Sequence, residues 1–141
     1  MSQNNFNQNT IDEFRSNKGK VGGYFANATL LLLTTVGAKS GQPRTTPVAY
    51  VTDGDRLVII ASKGGAPSHP DWYSNLLANP VATVEVGTER FQVRASTTNE
   101  PERSQLYAKM VEMMPGFAEY ERKTSRTIPV LTLERIDRAQ E

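Results

Sequence analysis

Residues 30–61 read LLLLTTVGAKSGQPRTTPVAYVTDGDRLVIIA, and this run decides the fold class. Leu30 to Val36 is apolar with threonine near its end and is bounded by Gly37, which predicts a buried strand. Lys39 to Arg44 carries Gly41 and Pro43 and reads as a turn. Thr45 to Thr52 predicts a second strand, interrupted near Pro47 because proline has no N–H for a ladder. Asp53-Gly54-Asp55 is a tight hairpin turn. Arg56 to Ala61 is almost wholly aliphatic, so it predicts a third strand buried on both faces.

Downstream, Gly64-Gly65 ends that strand. Ser68-His69-Pro70 then opens a helix, with Pro70 in its first turn, and Asn79-Pro80 stops it. Val81 to Val86 and Phe91 to Ala95 alternate around Gly87-Thr88, which predicts another hairpin. A longer helix starts near Pro101, with Leu106, Met110 and Met113 on one stripe and Tyr107, Val111 and Met114 on its neighbour. Pro115-Gly116 breaks it, a short helix carries Phe117 and Tyr120, and Ile128 to Leu133 forms a last strand. Consecutive hairpins favour an antiparallel sheet, and about six short strands are enough to close a small barrel. The expected class is mainly β with inserted helices.

Upstream, Thr10-Ile11-Asp12-Glu13 has the cap-plus-acid pattern of a helix start, so a short helix is expected from Ile11 to about Asn17 after a disordered lead over residues 1–9. Residues 1–25 then form a partly disordered lead, and 26–141 one barrel domain. A chain of 141 residues suits a single core. There is no cysteine, which excludes disulfides and thiolate chemistry. The net charge of +1 is spread without a basic run, so no nucleic-acid partner is expected. No apolar run approaches the roughly 18 residues of a bilayer span, and the polar N-terminus gives no reason to expect membrane contact. The expected location is cytoplasmic.

Two stretches invite ligands. Lys39 and Arg44 flank a turn holding Ser40, with backbone N–H groups nearby, a nest suited to an anion; a solvated hairpin tip is the alternative. The sequence is not a P-loop, because the leading glycine is missing. Ala61 to Ala66 closes a strand before a helix, and its paired glycines let a ligand approach the backbone; a plain connecting loop is the alternative. Ser62 would point from the strand end toward such a ligand. His69, the sole histidine, reads as a capping residue, and nothing completes a metal site around it. Trp72 suits either core or ligand platform. Phe117 and Tyr120 read first as core aromatics, and the methionines as a flexible apolar wall. No Ser-His-Asp set or carboxylate pair is visible. A chain without chemistry of its own fits a cofactor enzyme.

Taken in order, Leu33-Thr34-Thr35-Val36-Gly37-Ala38-Lys39-Ser40-Gly41-Gln42-Pro43-Arg44, then Ala61-Ser62-Lys63-Gly64-Gly65-Ala66 with His69-Pro70-Asp71-Trp72-Tyr73-Ser74-Asn75-Leu76, then Arg126-Thr127-Ile128-Pro129-Val130 resemble the signatures of the deazaflavin-dependent nitroreductase family. The resemblance implies a split β-barrel of the FMN-binding type and the coenzyme F420, used in its reduced form. It implies that Ala38, Lys39, Ser40 and Arg44 meet the phosphate or the acidic tail. Thr45, Thr46, Pro47, Val48 and Ala49 would line the groove. Ile60, Ala61, Ser62 and Lys63, with Asp71, Trp72, Tyr73, Ser74 and Asn75, would hold the ring and linker, and Phe117 would close over the ring side. Ser62 and Tyr120 are the expected donors to a hydride acceptor, a quinone or nitroaromatic. Met114 and Phe117 replace tyrosines of the family pattern, which favours a quinone over bulky nitroimidazoles. An FMN-binding oxidoreductase and a non-catalytic F420 carrier are the alternatives. A homodimer, and peripheral contact with the inner membrane face during quinone reduction, stay open.

Overall fold

A computed structural model of the protein describes residues 3–17, 29–65 and 68–136. Six antiparallel strands close into a barrel in the order β1-β2-β3-β6-β5-β4. They are β1 (Leu30–Val36), β2 (Pro43–Asp53), β3 (Arg56–Ile60), β4 (Val81–Val86), β5 (Glu89–Thr97) and β6 (Val130–Arg135). Helix α1 (Gln3–Ser16) precedes the barrel. A 3-10 turn (Lys63–Gly65) and α2 (Asp71–Ala78) follow β3, and α3 (Glu102–Met113) and α4 (Gly116–Lys123) stand between β5 and β6. The expected antiparallel barrel with inserted helices is what forms.

Alternation divides the apolar residues among three clusters. Leu31, Leu33, Val48, Ile59, Val84, Val93, Leu131 and Leu133 fill the barrel, where Trp72 and Leu76 of α2 join them. Val58, Ile60 and Val130 face outward onto Leu106, Tyr107, Met110 and Phe117 of α3 and α4. Leu30 and Leu32 face outward onto Ile11 and Phe14 of α1. The leucine run is therefore buried on both faces, each side chain contributing about 1.5–3 kcal/mol.

Two expectations are corrected. Helix α1 begins at Gln3, not at Ile11. Once Ile11 and Phe14 dock on β1, extending the helix adds one hydrogen bond per residue without a new nucleus, and asparagine and glutamine do not prevent it. The stretch holding Gly19, Gly22 and Gly23, the boundary at residues 25 and 26, and the last five residues lie outside the described residues.

The second correction concerns Pro47. Strand β2 runs unbroken through it, with Pro47 opposite Leu32. The N–H of Tyr50 donates to Thr29 O at 3.0 Å, so Tyr50, Val48 and Thr46 direct their backbone groups at β1, and Pro47 directs its own away. The missing N–H falls on the other edge. There β2 pairs with β3 only from Tyr50 to Asp53, whereas its pairing with β1 covers Pro43 to Ala49. Among the described residues the first half of β2 thus keeps one edge without a strand partner, and because Pro43 and Pro47 lack an N–H, only Thr45 and Ala49 offer donors along it.

Candidate active site

The edge of β2 without a strand partner among the described residues runs between a polar end and an apolar end. From Arg44 to Ala49 it extends about 17 Å at ~3.4 Å per residue.

One end is polar. The turn between β1 and β2 closes on itself: Gly37 N–H donates to Gln42 O at 2.8 Å and Gly41 N–H to Gly37 O at 2.9 Å. Gln42 N–H donates to Ser40 Oγ at 3.1 Å. The N–H of Ala38 reaches Asn75 Oδ1 at 2.9 Å, and Asn75 Nδ2 donates to Thr35 Oγ1 at 3.1 Å. The expected nest is therefore smaller than the sequence implied. Four of its N–H groups are used within the protein, which leaves those of Lys39 and Ser40. At Gly37 a Cβ would stand 2.6 Å from Ser40 Oγ and 3.3 Å from Gln42 O, so the Ser40 hydroxyl would have to turn away. Lys39 and Arg44 are exposed, on either side of the Asn75 pin, with Arg44 directly opposite Thr35. Among the described residues neither has an ion-pair partner. Two cations without a carboxylate leave that end of the groove receptive to an anion.

The other end is apolar. Ala49, Ile60, Phe117, Tyr120, Met113 and Met114 belong to one cluster. The Phe117 ring stands edge-on to Tyr120 at 4.9 Å. The Tyr107 hydroxyl donates to Phe117 O at 2.6 Å and fixes the start of α4; burial pushes that phenol up to about 12. Ser62 is buried just past the end of β3. Gly65, at φ +84°, packs against α4, where a Cβ would lie 2.9 Å from Lys123 Cβ and 3.0 Å from Tyr120 O. Phe117 and Tyr120 thus stand together on α4, and the turn that follows Ser62 packs against that helix; Thr45, Thr46, Pro47 and Ala49 are half-exposed.

Other expected residues take different positions. Trp72 is a core residue that plugs the barrel and is no free platform. Val48 and Ala61 also point inward. Asn75 is buried with its amide committed to the first hairpin, so it positions the turn. Asp71, Ser74 and Lys63 are exposed, and Tyr73 is half-buried against the His69 ring at 4.8 Å. Sequence reading overlooked Arg126. Its Nη2 donates to Ser62 O at 2.7 Å and its Nη1 to Ala61 O at 3.2 Å, with Nη1 also 2.9 Å from His69 Nδ1. In the sequence Arg126 stands only at the head of a strand signature, and no local pattern marks an arginine that serves segments some sixty residues away. No group of three or more His, Cys, Asp or Glu capable of holding a metal occurs among the described residues, and no helix among them is long and apolar enough to cross a membrane.

The chain is similar to several known proteins. The family model described as F420H(2)-dependent quinone reductase matches residues 7–135. The F420H(2)-dependent quinone reductase Rv1261c of Mycobacterium tuberculosis is 42% identical over 126 residues, covering 86% of this chain and 85% of that protein. A solved F420-H2 dependent reductase (FDR-A) is 40% identical with a TM-score of 0.70, over 75% of this chain and 94% of its own. Another solved chain, described as a domain-swapped dimer, is 36% identical with a TM-score of 0.71, over 90% of this chain and 93% of its own.

Proposed function

Since the chain belongs to the F420H(2)-dependent quinone reductase family, we propose that the groove along β2 holds reduced coenzyme F420 and directs its hydride to a quinone. The observation that carries this reading is the arrangement along β2: two cations without an ion-pair partner among the described residues at one end, an apolar cluster at the other, and between them an edge without a strand partner among the described residues. A coenzyme with a ring at one end and a phosphodiester followed by glutamates at the other fits that polarity. When bound, reduced F420 supplies a hydride.

The remaining work falls to this chain's own residues. Lys39 and Arg44 neutralise the phosphodiester and the acidic tail. The Thr45 and Ala49 N–H groups are the donors available to the middle of the coenzyme. Ile60, Phe117, Met113 and Met114 form an apolar wall that excludes water and accommodates a flat, greasy acceptor. As hydride arrives, negative charge develops on an acceptor oxygen and needs a donor. The Ser62 and Tyr120 hydroxyls serve this role, and solvent supplies the final proton of the hydroquinone. Both are poor acids near neutral pH, so hydrogen bonding and not full proton transfer is their contribution.

The acceptor class extends to nitroaromatics small enough for the same pocket. A cytoplasmic location is part of the proposal, as is contact with the inner membrane face when the quinone is lipid-borne. A homodimer is favoured by the likeness to a chain described as a domain-swapped dimer.

The test has two steps. Fluorescence titration should show binding of F420 in preference to FMN. Mixing reduced F420 with menadione and catalytic protein should then restore the coenzyme's visible band. A preference for FMN would move the chain to flavin chemistry, and F420 binding without turnover would make it a carrier.

A further inference from the structure

Beyond the last strand pair, the backbone at the end of β3 has no ladder to hold it. Ala61 N–H still reaches Pro129 O at 2.9 Å. The carbonyls of Ala61 and Ser62 point elsewhere, and the chain then turns through Lys63 at φ +48° and Gly65 at φ +84°. Inside the turn, Gly65 N–H closes back onto Ser62 O at 3.0 Å. The donors that fix those carbonyls from outside come from one side chain. Arg126, in the stretch between α4 and β6, places Nη2 on Ser62 O and Nη1 on Ala61 O.

The same guanidinium reaches a third segment through His69, just ahead of α2. Arginine is always protonated and only donates, so His69 Nδ1 accepts and the imidazole proton resides on Nε2. Burial, and then the neighbouring Arg126 charge, hold this imidazole below its usual range, consistent with a neutral acceptor. One planar group therefore ties the end of β3, the approach to α2 and the stretch before β6. On its far side the turn abuts α4 with no room for a Cβ at Gly65.

We propose that Arg126 is a positioning residue, whose fork fixes the turn from Ser62 to Gly65 and so sets the backbone that faces the coenzyme and the Ser62 hydroxyl that faces the acceptor. Its coenzyme-related part rests on the function proposed above. Lysine cannot substitute, because a single ammonium on a flexible stem does not span three acceptors held in a plane.

The test uses the full chain as wild type, Arg126→Met and Arg126→Lys. Three quantities are read: amide exchange of Lys63, Gly64 and Gly65 without coenzyme, the imidazole ¹⁵N signals of His69, and the Kd for F420. His69 is the sole histidine, so its signals need no assignment. Both variants should exchange faster across the turn, lose the single Nε2–H tautomer, and bind F420 about tenfold more weakly, which corresponds to roughly 1.4 kcal/mol. Restoration of wild-type affinity by Arg126→Lys would mean that Arg126 acts merely as a cation toward an acidic ligand, and would overturn the proposal. So would unchanged turn exchange, or unchanged affinity despite a loosened turn. If Arg126→Met does not fold, Arg126→Lys carries the same readings. If wild type binds no F420, the functional reading falls, and exchange across the turn alone decides whether the clamp exists.

Discussion

The Asn75 carboxamide accepts the Ala38 N–H at 2.9 Å, fastening α2 to the hairpin turn that carries Lys39. The second arm of the same amide donates to Thr35 Oγ1, so one buried side chain satisfies groups on two sides of the turn. Asn75→Ala leaves both without a partner. It should cost about 1–3 kcal/mol, the penalty for orphaned buried polar groups, and should weaken F420 binding without touching the cations. Thermal unfolding and a coenzyme titration check this. Unaltered affinity in a clearly destabilised variant would confine Asn75 to folding.

Lys39 and Arg44 have no ion-pair partner among the described residues, so folding does not depend on them. Lys39→Ala with Arg44→Ala should change stability by no more than about 0.5 kcal/mol and raise the Kd for F420 at least about 100-fold. The salt dependence of binding should flatten at the same time, because the screened charges are gone. A double variant that titrates like wild type would remove this turn from the site.

Gly65 combines φ +84° with backbone and side-chain atoms of α4 that would stand only 2.9–3.2 Å from any Cβ, well inside contact distance. Gly65→Ala should therefore destabilise by about 1–3 kcal/mol through backbone strain, and the clash should displace α4 with its Phe117 and Tyr120. Quinone turnover should fall together with stability. A variant as stable as wild type would show that the turn has slack.

Ser62 and Tyr120 are assigned to the acceptor and not to the coenzyme. Ser62→Ala or Tyr120→Phe should lower kcat by up to about 100-fold, the lower end of losses from removing an oxyanion donor, with a much smaller effect on F420 affinity. Turnover undiminished in both variants would leave water as the donor.

The Arg15 guanidinium grips both oxygens of Glu85, at 3.0 and 2.7 Å, and ties α1 to β4. Its hydrogen bonding holds the Glu85 carboxyl below the usual range. A carboxylate lowered in the folded state stabilises fully above its unfolded value near 4.5, and this contribution is lost as pH falls through the folded value. Arg15 is half-exposed, so solvent screening limits the pair to less than about 1 kcal/mol. Glu85→Gln should thus be slightly less stable than wild type at pH 7, and the difference should shrink as pH falls below 4.5 through the folded value. A difference that does not shrink under acid conditions would point to packing instead of charge.

The strands were legible because their periodicity is local. Leu30 to Val36 and Arg56 to Ala61 announce burial on both faces through composition alone, and Gly54 marks the hairpin between β2 and β3 by its turn chemistry. Lys39 and Arg44 were legible as a charged turn, and Ser62 as a residue at a strand end. Pro47 misled because its effect depends on which edge of β2 it faces, and that follows from pairing register. Arg126 was invisible because its partners, Ala61, Ser62 and His69, are distant in sequence.

By itself the sequence determined the barrel's strands, their antiparallel sense and the identity of the charged turn, since alternation and turn residues act over a few neighbouring residues. Only the tertiary structure decided that β2 leaves half an edge unpaired, that Trp72 fills the core, that Asn75 is committed to Ala38 and Thr35, and that Arg126 holds the turn after β3. Each of these depends on which backbone groups remain without a partner once the barrel closes, a property of the assembled fold that no single segment carries.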